Sequence, residues 1–73
     1  MKLKQLKDIT LIDGEFYLCK IQNYSDSGYV IAKGVNRISC EPSLKRIVVL
    51  EVESNGDRLN NLSIEGILKL EYE

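Results

Sequence analysis

The stretch ITLIDGEFYL, residues 9–18, contains a turn dipeptide between two runs of apolar residues. Its central Asp-Gly favours a two-residue type I′ turn, because both central residues of that turn have positive φ. In such a hairpin Leu11 lies opposite Phe16 and Ile9 lies opposite Leu18, so both apolar pairs share one face. Turn chemistry and apolar pairing agree, and the stretch therefore predicts a β-hairpin.

A second turn dipeptide, Asn-Gly, lies further along the chain. A two-residue turn there places Val52 opposite Leu59 and Glu53 opposite Arg58, which gives one apolar pair and one pair of opposite charge. We expect positive φ at the glycine of both dipeptides, because only glycine adopts that conformation without steric cost.

Alternation of apolar and polar residues, typical of half-buried strands, recurs along the chain. The predicted strands are residues 8–12, 15–24, 28–35, 45–53 and 66–72. The run 47–50 is apolar on both faces, so we expect it to be the central strand. In the last strand, the alternation predicts that Leu68, Leu70 and Tyr72 are buried. The predicted core comprises Ile9, Leu11, Leu18, Ile21, Ile31, Val48, Leu50, Val52, Leu68 and Leu70.

The loop between Tyr24 and Tyr29 sets the register of its two flanking strands. Direct pairing across the loop would bring Lys20 opposite Lys33, and like charges directly opposite each other are unfavourable. The sequence therefore predicts a bulge or a register slip in this hairpin, with Gly34 as the candidate position.

With 73 residues, the chain is expected to form a single small domain over residues 1–73. Five short antiparallel strands predict an all-β fold, either a small barrel or a strongly bent sheet. In strand number and length the pattern resembles SH3-like and Sm-like barrels, and a five-stranded OB-like barrel also fits. Residues 3–7, with leucines at i and i+3, fit either one short helical turn or an irregular strand.

Composition argues against several classes of function. The chain has 10 basic and 11 acidic residues and no histidine, so it is not basic overall and lacks the commonest general base and metal ligand. Its two cysteines form no Cys-x-x-Cys pair, and Cys19 fits a strand core, whereas Cys40 falls in a loop and could be reactive. We expect a non-enzymatic protein with no catalytic residues, no cofactor and no metal. With no apolar signal-peptide region and no membrane-length apolar run, we also expect a cytoplasmic location without membrane contact.

Charge is unevenly divided along the chain. Residues 1–50 carry eight basic and five acidic groups, and residues 51–73 carry two basic and six acidic groups. This uneven distribution of charge fits a binding module that contacts a protein partner as a regulator, inhibitor or accessory subunit. A homodimer is one form of such a module. The alternative is a small nucleic-acid-binding barrel with a basic face and stacking tyrosines. The predicted contact residues for either partner are Lys2, Lys4, Lys7, Tyr24, Tyr29 and Lys33.

Overall fold

A computed structural model describes residues 2–22, 28–38 and 46–71. Within these residues, four strands form one antiparallel sheet in the order β3-β2-β1-β4. The strands are β1 Phe16–Ile21, β2 Tyr29–Arg37, β3 Ile47–Val52 and β4 Ile64–Lys69. The helical structure consists of two single 3-10 turns, Leu6–Asp8 and Asn61–Ser63. The prediction of an all-β chain is therefore confirmed.

The predicted five-stranded barrel is wrong, because the described sheet has four strands and is not closed. The Asp-Gly turn does form: the N–H of Glu15 donates to the carbonyl of Ile12 at 3.2 Å. Residues 9–12 nevertheless do not pair with β1, so the expected Leu11–Phe16 and Ile9–Leu18 pairs are absent. A strand has only two edges, and those of β1 are occupied by β2 and β4.

The Asn-Gly hairpin also forms, but with a longer loop than predicted. Its glycine has φ of +74° as expected, and the N–H of that glycine donates to the carbonyl of Val52 at 2.7 Å. Because the loop is longer than two residues, Arg58 lies opposite Glu51 instead of Glu53. The predicted Val52–Leu59 pair is displaced for the same reason.

A slip between β1 and β2 is confirmed, but it shifts the whole paired length and is not a bulge at Gly34. Lys20 lies opposite Tyr29, and Lys33 lies opposite Phe16, so the two lysines do not face each other. The predicted pairing of Tyr24 falls outside the described residues. The slip removes a like-charge contact and gives each lysine an aromatic cross-strand neighbour instead.

One face of the sheet, the covered face, contains the core. The buried residues are Tyr17, Cys19, Ile21, Ala32, Leu50, Val52 and Ile67. The partly buried residues packed against this core are Leu6, Ile9, Leu11, Val30, Leu59 and Ile64. Three of them lie in the N-terminal segment, residues 3–12, so residues 6–12 of this segment cover this face.

Close backbone contact allows the segment to lie on the covered face. Gly34 has no side chain, and a Cβ at that position would overlap the carbonyl oxygen of Ile12. At the outer edge of β4, Lys4 and Ile67 exchange two backbone hydrogen bonds of 2.8 and 2.9 Å. The segment therefore begins at one sheet edge and passes over the core toward β2.

The core prediction was correct for Ile21, Leu50 and Val52, which are buried. It was wrong for Ile31, which is 45% exposed. Six further predicted core residues are only half-buried, namely Ile9, Leu11, Leu18, Val48, Leu68 and Leu70, and Tyr72 lies outside the described residues. The sheet is apolar on both faces, and burial depends on which face the N-terminal segment covers.

Strand β3 lies at an edge of the sheet, so its prediction as the central strand was wrong. Ile47 is 47% exposed, whereas Leu50 is 3% exposed. The central strands are β1 and β2. The apolar run in β3 arises because its even-numbered residues line the core while its odd-numbered residues lie on the other face.

Candidate functional site

The second face of the sheet, the open face, is the candidate site. It is formed by the side chains that alternate with those of the core. Its apolar members are Phe16, Leu18, Tyr29, Ile31, Val35, Ile47, Val49, Leu68 and Leu70. The 3-10 turn Leu6–Asp8 and residues 9–12, which cover the core, lie on the opposite side of the sheet.

An apolar strip crosses the centre of the open face. Leu18 pairs directly with Ile31 on β2 and with Leu68 on β4. Directly opposed side chains in antiparallel strands have Cβ atoms about 4.5–5.5 Å apart, so the three side chains are contiguous. Ile31 is 45% exposed and neighbouring Tyr29 is 41% exposed. Contiguous exposed apolar surface of this kind marks interaction sites more often than single exposed residues do.

Charged side chains of both signs border the strip. Lys20 Nζ lies 3.8 Å from a carboxylate oxygen of Glu65, and Arg37 forms an ion pair with Glu51. The acidic residue Glu53 follows β3 and lies opposite Ile31, whose carbonyl accepts its N–H at 2.8 Å. The open face therefore has a mixed-sign border and no excess of positive charge.

Two lysines lie over aromatic rings on this face. Lys20 Nζ is 5.9 Å from the centroid of the Tyr29 ring, and Lys33 Nζ is 5.7 Å from the centroid of the Phe16 ring. These distances fall within the range of cation–π contacts, which attract a cation to the ring face. The lysine stems thus lie along apolar surface while the ammonium groups stay near its border.

A bulge in β4 sets one end of the open face. Lys20 pairs with Gly66 while the next residue, Ile21, pairs with Ile64. A Cβ at Gly66 would lie 2.9 Å from Cβ of Leu3, so the missing side chain allows Leu3 to lie against β4. The bulge also directs Glu65 toward Lys20.

The structure brings together only part of the predicted contact set. Tyr29 and Lys33 lie on the open face, on either side of Ile31 along β2. Lys4 pairs at the outer edge of β4, which is separated from β2 by β1. The other predicted residues are Lys2, which is exposed, Lys7, which is exposed in the first 3-10 turn, and Tyr24, which lies outside the described residues.

Sequence reasoning missed Phe16, Leu18 and Lys20 as members of the site. It placed Leu18, Ile31 and Leu68, the three residues of the strip, in the core. It considered Lys20 as a register problem and as part of the basic excess of residues 1–50. The sequence did contain a signal for them. Shifting the register of β1 against β2, so that Lys20 lies opposite Tyr29 instead of Lys33, gives the observed pairing. That register also puts Leu18 opposite Ile31, on the face opposite to Tyr17 and Cys19.

The described thiol is unsuited to nucleophilic chemistry. Cys19 is fully buried, and burial raises its pKa to about 11 from an ordinary value of 9.0. The thiolate is the reactive form, so a buried thiol with a raised pKa is unreactive near neutral pH. Cys40, the other candidate nucleophile, lies outside the described residues.

A shallow groove runs along the outer edge of β3, on the far side of the strand from β2. It has a volume of about 600 Å³ and is lined in part by Val48, Arg58 and Leu59. Beside it, the N–H of Leu59 donates to the carbonyl of Leu50 at 3.0 Å, which occupies part of this edge. The groove is a second surface on which a partner could lie.

No group of three or more His, Cys, Asp or Glu side chains is arranged to hold a metal ion among residues 2–22, 28–38 and 46–71. In the same part of the chain, no helix has the length and apolar character needed to cross a bilayer.

The chain was also compared with known proteins. No family model, curated protein or solved structure matches it.

Proposed function

We propose that the protein is a small non-enzymatic binding module that acts through protein–protein contact at its open face. In this proposal it serves a cytoplasmic partner as a regulator, inhibitor or accessory subunit. The observation that carries the proposal is the apolar strip of Leu18, Ile31 and Leu68, which crosses three strands without a covering layer among the described residues.

The energetics favour a partner on this face. Ile31 retains 45% of its exposure in the folded chain. Complete burial of an isoleucine contributes about 1.5–3 kcal/mol, so covering the remaining half contributes roughly 1 kcal/mol. Tyr29 adds a large ring with a polar hydroxyl, and tyrosine is enriched at the centres of protein interfaces.

The border of the face fits a protein better than a polyanion. Lys20 and Arg37 are each paired with a carboxylate on the same face. Binding to nucleic acid requires cations that are available to phosphates, and nearby acids oppose that contact. A protein partner can instead meet both signs with complementary charges.

Nucleic-acid binding is the alternative function, and one observation favours it. Tyr29 and Phe16 each lie on the open face beside a lysine, Lys20 and Lys33 respectively. Sheet faces that bind single strands combine stacking aromatic rings with nearby cations. In this alternative, bases stack on the two rings while the lysines contact phosphates.

The test is a capture experiment with the tagged full chain as bait in native extract, with and without nuclease. A variant pair sharpens it: Ile31→Thr changes the open face, while Ile12→Thr changes an isoleucine of equal 45% exposure whose backbone lies over the covered face. We expect nuclease-resistant capture that Ile31→Thr reduces several-fold and Ile12→Thr preserves. Capture that is equal for both variants would contradict the proposal.

The dependence of binding on salt concentration distinguishes the two functions. A protein contact with an apolar centre should lose mainly association rate as salt rises. Binding to phosphates should instead fall steeply in affinity, with a log–log slope set by the number of contacts. Tight binding of a single-stranded oligonucleotide at low salt, lost at moderate salt and in Tyr29→Ala, would support the alternative function.

A further inference from the structure

We propose that the partner of the open face is a second copy of this chain, so that two sheets pack face to face about a two-fold axis. This inference rests on the proposed function, because it requires that the open face binds protein. Beyond the proposed function, it identifies the molecule that binds the open face as a second chain with the same apolar strip.

Charge on the open face is self-complementary. A two-fold interface sets the same surface against itself, so a border of one sign would repel its copy. This border instead carries Lys20 and Lys33 on the central strands, with Glu65 on β4 and Glu53 just after β3. Each copy thus presents both signs to the other.

Strand geometry also suits a second sheet. Sheets in a sandwich pack about 10 Å apart, and their inner side chains interdigitate. The row Leu18, Ile31 and Leu68 spans β2, β1 and β4, which is wide enough to meet the same row of a second copy. Lysine heads held over the Tyr29 and Phe16 rings lie at the border, where they can stay hydrated.

The first experiment is sedimentation equilibrium of the purified full chain over a wide range of concentration. We expect a monomer–dimer equilibrium for the wild-type chain. Ile31→Thr occurs in both copies and should raise the dimer Kd at least tenfold, which corresponds to about 1.4 kcal/mol. Ile12→Thr, with the same exposure, should leave the Kd within twofold. Circular dichroism verifies that each variant is folded.

Charge exchange tests the face directly. Lys20→Glu with Lys33→Glu gives an acidic border, and Glu53→Lys with Glu65→Lys gives a basic border. We expect each double variant alone to be monomeric and an equimolar mixture of the two to form a heterodimer. Recovery in the mixture requires that these borders meet each other across the interface.

The outcomes distinguish this inference from the proposed function. A wild-type chain that stays monomeric at millimolar concentration would overturn the second copy as the partner. The proposed function would then still be decided by whether Ile31→Thr reduces capture of another protein. A dimer that tolerates Ile31→Thr, or whose double variants do not recover on mixing, would also overturn the inference.

Discussion

The two faces of the sheet differ in how they are covered, although the same strands form both. Along β1, the residues Tyr17, Cys19 and Ile21 are buried, whereas Leu18 and Lys20 between them are only half-buried. Both faces carry apolar side chains, and among the described residues the N-terminal segment and Leu59 pack on the covered face. An alternating pattern therefore identifies a strand, but it does not identify the inner face when both faces are apolar.

Tyr17 connects the core to its covering segment. Its hydroxyl accepts the N–H of Ile12 at 2.9 Å and donates to the carbonyl of Thr10 at 3.4 Å. The ring is fully buried beneath the segment. The open face lacks such a covering segment among the described residues, and this difference makes the two faces separable by mutation.

The largest contrast is expected between truncations on the two faces. Leu50→Ala removes a core side chain and should lower the free energy of unfolding by about 2–5 kcal/mol. Ile31→Ala on the open face should cost roughly 1 kcal/mol in the monomer. Urea denaturation at concentrations below the dimer Kd measures both. Equal losses for the two variants would contradict the assignment of the covered face.

A smaller effect is expected from removing the Tyr17 hydroxyl. Tyr17→Phe leaves the N–H of Ile12 without its partner and should cost about 1–3 kcal/mol. Hydrogen exchange at the Ile12 amide should accelerate more than exchange in β2. Tyr29→Phe on the open face is the matched control and should change stability by less than about 0.5 kcal/mol. Unchanged exchange at Ile12 in Tyr17→Phe would show that the hydroxyl does not hold the segment.

The buried thiol predicts a loss of stability at alkaline pH. The native pKa of Cys19 is about 11 and its ordinary value is 9.0, so the unfolded chain loses the thiol proton first as pH rises. Stability from this group is complete below pH 9 and is lost between pH 9 and 11. At pH 10 the loss should be about 1.4 kcal/mol. Cys19→Ala should lack this component, and an identical pH profile for the two proteins would contradict the burial of the thiol.

The smallest effect is expected from the border of the open face. Lys20→Ala removes an exposed ion pair with Glu65, and such pairs contribute below about 1 kcal/mol to stability. Its effect on dimerisation should exceed its effect on unfolding, because the border contacts the second copy. A large loss of monomer stability would assign Lys20 to the fold instead of the interface.

Local features of the fold were predictable from sequence. Both turn dipeptides have glycines with positive φ, because the requirement is set by backbone sterics at a single residue. The clash between Lys20 and Lys33 predicted the slip between β1 and β2. These interactions involve residues that are close in sequence or directly paired, so they can be predicted without knowing how distant segments pack.

Long-range features were not predictable in the same way. Residues 8–12 have the composition of a strand, but β2 and β4 take both edges of β1. Ile31 has the composition of a core residue, yet the N-terminal segment covers the other face. For the candidate site, Tyr29 and Lys33 were identified, whereas Phe16, Leu18 and Lys20 depended on the observed register.

Contacts between two copies can be observed directly by NMR on the full chain. A mixed sample of methyl-labelled and unlabelled chain reports nuclear Overhauser effects between copies. The account predicts intermolecular effects at the methyl groups of Leu18, Ile31 and Leu68 and none at Ile12. Intermolecular effects confined to Val48 and Leu59, beside the groove at the outer edge of β3, would show that the chains associate by that edge and would contradict the assignment of the open face as the interface.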